Sequence, residues 1–140
     1  MTRLLLCIVL VATAAQARSR GLAVKCIQPN LMGRTETVPR TQEFTLGAEA
    51  FDRATVDWRA RRYGDSARGF LKAAEHFARD GAEGNWKYAW QNSALAWAAA
   101  NRVAEGKSAF EAAAANEKDP DHAKALRAAA SGLSAKGACP

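Results

Sequence analysis

The stretch WKYAWQNSALAWAAA, Trp86 to Ala100, holds three of the four tryptophans of a 140-residue chain. Trp86, Trp90 and Trp97, with Ala89, Ser93 and Ala94 between them, recur at helical spacing and mark one face of an amphipathic helix. A face of that kind needs something to pack against, so this helix is expected to be the central wall of a helical domain. Trp86, nearest the helix start, is the indole expected to reach the surface.

The flanking sequence supplies the partners. From Gly47, AEAFDRATVDWRARR places Phe51, Ala54 and Trp58 on one face at steps of three and four. Gly64-Asp65 interrupts the run, and Asp65 or Ser66 is suited to cap a second helix, SARGFLKAAEHFARD, with Ala67, Phe70, Leu71, Ala74 and Phe77 inward. Gly81 and Gly84 are expected to end it, and Asn85 to cap the tryptophan helix. After a break at Asn101-Arg102, VAEGKSAFEAAAAN presents Val103, Phe110 and Ala113 or Ala114. Asp119-Pro120 is a strong start signal for a fifth helix, since Asp caps and Pro suits the first helical position. Its inward residues are Ala123, Leu126, Ala130 and Leu133. The fold class is therefore all-α, with about five helices.

Sliding the chain against itself pairs Phe51 with Trp90, Ala54 with Ser93, Trp58 with Trp97, Ala67 with Gly106, Leu71 with Phe110 and Ala74 with Ala113, all 39 positions apart. Size class is kept at each pair, as two copies of a helix-turn-helix require when small residues let helices approach and large ones fill the space. On these residues the chain, over roughly 48–120, resembles the tetratricopeptide repeat family, with Asp119 to Leu133 as a solvating cap helix. The resemblance implies antiparallel helix pairs stacked side by side. An up-and-down helical bundle is the alternative, because its short loops and small-large packing look much the same in sequence. Several positions depart from the family pattern: Thr55 and Ala94 stand where Gly is usual, and Pro120 falls late. The longer period implies about five extra residues, expected in the loop around 81–85.

Likeness to the family puts a partner-binding strip on the concave face. Its residues are Glu49, Asp52, Val56 and Arg59 from the first copy and Tyr88, Gln91, Leu95 and Ala98 from the second. Charge, amide, phenol and apolar groups together suit an extended peptide or a partner helix. Asp52 and Val56 stand where a carboxylate clamp would need Lys and Asn, so recognition of a chain terminus is disfavoured.

Ahead of the helices, residues 1–17 read as a secretory signal peptide. Arg3 is the positive lead, Leu4 to Ala15 the apolar run and Ala15-Gln16-Ala17 the cleavage site. The run is shorter than the roughly 20 apolar residues of a membrane-spanning helix. Residues 18–46 form an irregular basic arm, broken by Pro29, Pro39, Gly21 and Gly33, and 47–137 the helical repeat domain. Cleavage leaves two of the three cysteines, Cys26 and Cys139, an even pair that suggests a disulfide in an oxidising compartment. Two free thiols are the alternative.

No nucleophile-base set, phosphate-binding glycine loop or zinc motif is present in the sequence. His76 with Asp80 has chelating spacing, but two ligands do not define a site, so no metal and no cofactor are expected. The formal charge of +6 is modest. Arg59, Arg61, Arg62, Arg68 and Lys72 cluster near the first turn, and too little aromatic interleaving accompanies them for a nucleic-acid site. The expectation is a periplasmic or secreted, non-catalytic protein-protein interaction module without a membrane span after cleavage. The alternative is an envelope-associated binder of anionic polymer or lipid through the Arg-rich patch.

Overall fold

A computed structural model describes Pro29, Leu31 and residues 41–134. The signal segment, most of the arm, Cys26 and Cys139 lie outside the described residues. Five helices follow one another: α1 (Gln42–Arg59), α2 (Tyr63–Asp80), α3 (Glu83–Ala99), α4 (Val103–Asn116) and α5 (Pro120–Gly132).

Each start and stop has a local cause, and several differ from the expected ones. Helix α1 begins at Gln42, inside the stretch read as irregular arm, because the Thr41 side chain accepts from the Phe44 amide at 3.1 Å. Helices α2 and α3 begin before the residues expected to cap them. Arg62 and Ala82 occupy the N-cap positions without a side-chain cap, Ser66 is buried inside α2, and Asn85 is buried inside α3. Gly81 ends α2 as expected, in the left-handed conformation (φ 76°) that glycine adopts without strain. Gly84 lies within α3, so only two residues separate the helices and the extra repeat length lies in the helices. Asp119 caps α5, accepting from the Asp121 and His122 amides at 2.8 and 3.2 Å.

Helix α2 is the hub, packed along both α1 and α3, while α5 packs on α4. Close approach is secured by small residues and by two buried hydroxyls that tie one helix to the next. Ser66 donates to the Ala54 carbonyl across α1 and α2, and Ser93 to the Ala67 carbonyl across α2 and α3, both at 2.8 Å. Phe51 meets Phe70 edge-on, with ring centroids 4.9 Å apart, at the centre of the first pair. Neighbouring helices in sequence are antiparallel. The start of α2 lies beside the start of α4, where Arg68 bonds Glu105 at 2.9 Å, so those two run parallel. Helices α3 and α5 likewise meet start to start, through Glu83 and His122 at 2.6 Å. Helix pairs thus stack in a common direction.

The tryptophan face is internal, with one reversal. Trp97 is 1% exposed and Trp86 6%, whereas Trp90, expected to be deeper than Trp86, is half-buried. Trp86 is covered because the His122 imidazole stacks on it, centroids 3.9 Å apart and planes 16° from parallel. Sequence periodicity within α3 carries no information about a cover from α5.

Candidate functional site

The residues marked by the repeat resemblance fall into two sets. On α1, Glu49, Asp52, Val56 and Arg59 are exposed; on α3, Gln91 is exposed, Tyr88 and Leu95 are half-buried and Ala98 is buried. Helices α1 and α3 each pack on α2 and have at most marginal contact with one another. The two sets therefore lie on separate helices, each packed against α2.

Leu95 and Ala98 instead face α5. With Trp90, Ala94, Ala129, Gly132, Leu133 and Ser134 they line a groove of about 270 Å³. It exists because α5 is held against α3 at its first turn by His122 and is seated along α4, while farther along half of the facing residues are alanine or glycine. Their short side chains do not fill the space between the parallel helices. The groove is apolar over most of its lining, and the buried indole N–H of Trp90 has no hydrogen-bond partner among the described residues. Its α5 wall was missed in the sequence reading. The available signal was that Ala129, Gly132 and Leu133 recur on one side of a helix otherwise read as a solvating cap.

Both histidines tie helices together. His76 Nδ1 lies 2.8 Å from Glu43 Oε2, which also accepts from Arg79 Nε at 3.0 Å. These bonds, that from His76 above all, hold the Glu43 carboxyl below its ordinary range. Asp80, considered above as a metal partner for His76, instead accepts from the Thr41 hydroxyl. His122, 8% exposed at its side chain, has Glu83 at one ring nitrogen and Glu117 3.9 Å from the other. Backbone donation from His122 and Asp121 also lowers the Asp119 carboxyl. Among the described residues no group of three His, Cys, Asp or Glu side chains is placed to hold a metal ion, and no helix is long and apolar enough to cross a membrane.

The Arg-rich first turn meets the second. Arg61, Arg62, Tyr63, Gly64 and Asp65 line a cleft of about 380 Å³ with Ala99, Ala100 and Arg102. Arg62 is paired with Asp57 at 2.6 Å, and Arg68 with Asp65 at 2.8 Å and Glu105 at 2.9 Å. Arg102, absent from the sequence-derived cluster, pairs with Glu105 at 2.5 Å and lies over the Trp97 ring.

No family model, curated protein or solved structure matches the chain.

Proposed function

We propose that this chain is a non-catalytic interaction module of the periplasm or secreted space, tetratricopeptide-like in its stacking. In this reading it docks a peptide or helix of a partner protein in the groove between α3 and α5. One observation carries it: α3 and α5, joined at their first turns by Glu83 and His122, leave between them an apolar groove that includes Leu95, a residue of the concave strip. The alanine floor suits a partner backbone, since small residues allow close approach, and Leu95 and Leu133 can flank an inserted apolar side chain. Gln91 and Tyr88, on the same helix, stand ready for polar contacts at the rim.

Peptide panning against the purified helical domain tests this, with the strongest binder measured by titration calorimetry. Leu95→Asp, which places a charge in the apolar lining, should abolish binding while circular dichroism stays unchanged. Val56→Asp, on the exposed side of α1, should leave binding intact. The reverse pattern would sink the groove assignment.

A further inference from the structure

Away from that groove, we infer that the cleft between the two helix-pair turns is a binding site for a phosphoryl group, as a soluble phosphate ester or a lipid headgroup. Three guanidinium-bearing residues, Arg61, Arg62 and Arg102, line it with one acidic residue, Asp65. Widening the circle does not cancel the excess. Arg59 and Arg68 join on one side, Asp57 and Glu105 on the other, so the positive surplus is still two. The pairings show where it resides. Arg62 is matched by Asp57, Arg102 by Glu105, and Asp65 by Arg68. Arg59 and Arg61 have no ion pair among the described residues.

The cationic groups line a shallow, open cleft. Arg102 reaches from the second turn across to the first, so close to Gly64 that a Cβ there would collide with its Nη1. Arginine also occupies the N-cap positions of α2 and α4, Arg62 and Arg102, with no side-chain cap to either helix. A cation at a helix start is unfavourable for the folded chain alone, and becomes favourable when an anion lies between the guanidinium and the amides. The planar fork of arginine matches the oxygens of phosphate: Arg61 has its whole fork free for an anion, while Arg62 and Arg102 hold Asp57 and Glu105 through Nε and Nη2 and have Nη1 left to give. Apart from Tyr63, whose ring packs against Trp58, the apolar side chains of the cleft lining are alanines, which favours a discrete phosphoryl group over a diffuse membrane surface.

The test is an amide NMR titration of the full chain with glycerol 1-phosphate at low salt, repeated with the Arg61→Asn variant. Asparagine tolerates the left-handed backbone of Arg61 (φ 61°) and already occupies the corresponding place in the second turn, Asn101 (φ 54°), so the variant keeps the fold. Saturable shifts confined to 61–65 and 99–102 are expected, weakened roughly fivefold by Arg61→Asn. A second variant, Arg102→Gln, should weaken binding further. A parallel arm uses vesicles containing phosphatidylglycerol. Vesicle binding competed by glycerol 1-phosphate supports the site and assigns a headgroup; phosphate binding without vesicle binding supports it and assigns a soluble ester. Absent or non-saturable shifts, shifts elsewhere, or undiminished binding by both variants would overturn the inference, as would vesicle binding that the soluble phosphate fails to compete. None of these outcomes bears on the α3 and α5 groove, where Leu95→Asp is the discriminating variant.

Discussion

Replacing Gly106 by alanine puts a methyl group into the junction of α3, α4 and α5. Its Cβ would stand 2.6 Å from Leu133 Cδ2, 2.7 Å from Trp97 Cγ and 2.9 Å from Trp97 Cβ, all far inside ordinary carbon contact. The leucine methyl can swing aside. Trp97 cannot do so cheaply, because its indole is 1% exposed and its Cβ is fixed to the α3 backbone. Overpacking of this kind costs about 1–3 kcal/mol, while alanine gains about 1 kcal/mol over glycine in a helix, so the net loss centres near 1 kcal/mol. For a domain of this size that is a fall in Tm of about 4–8 °C. Gly132→Ala is the matched control: nothing lies within 4 Å of its added Cβ, so only the helix gain, reduced by its place in the last turn, remains. Thermal and urea unfolding should rank Gly132→Ala at or above the parent and Gly106→Ala below it. If Gly106→Ala proves as stable as Gly132→Ala, α4 is not seated against Trp97, and the stacking of the second helix pair is wrong.

Three further outcomes are expected. Phe70→Ala removes a fully buried ring from its edge-on contact with Phe51 and should cost about 3–5 kcal/mol, read as a lower urea midpoint. Asp119→Ala leaves the Asp121 and His122 amides without their acceptor and should lower the urea midpoint, with Asp119→Asn retaining most of the stability. Glu43 and Asp119 both have carboxyls lowered by folding, so the unfolded chain takes up protons first as pH falls. Their contribution is full above the ordinary carboxylate range and is lost through the lower folded values. The urea midpoint should therefore drop below about pH 4, and drop less in a Glu43→Gln, Asp119→Asn double variant.

Signals confined to a few neighbouring residues were read directly. Asp119-Pro120 set the start of α5 and Gly81 the end of α2 because cap chemistry is local. Inward faces such as Phe70, Leu71, Ala74 and Phe77 followed from period alone. Starts without a side-chain cap were misplaced: nothing local marks Arg62 or Ala82, and the polar residues Ser66 and Asn85, attractive as caps, are buried within helices. The candidate site was half legible for a different reason. Leu95 was marked by its place in the repeat, but its neighbours depend on α5 lying beside α3, a long-range fact fixed by His122 against Glu83 and Trp86. The split between the α1 and α3 strips likewise depends on α2 packing with both.

The repeat register shows how one residue alters the result. At the tryptophans the copies match 39 positions apart, Trp58 with Trp97, and both are buried. By the turn they match 40 apart: the left-handed residues are Arg61 and Asn101, the N-cap residues Arg62 and Arg102, and the first helical residues Tyr63 and Val103. Burial in the following helices agrees, with Ser66, Phe70, Ala73 and Ala74 answered by Gly106, Phe110, Ala113 and Ala114. Helix α3 thus runs one residue farther past its last tryptophan than α1 does past Trp58. One residue is about 100° of helical rotation, enough to exchange which side chain faces the turn. At the 40-residue match, Trp97 stands where the first copy has Asp57. Arg62 therefore has a carboxylate on the preceding helix, whereas Arg102 has an indole face beneath it and takes its carboxylate from Glu105, one turn into α4. The same slip that blurs the repeat in sequence brings Arg102 over the start of α2 and gives the cleft its third guanidinium.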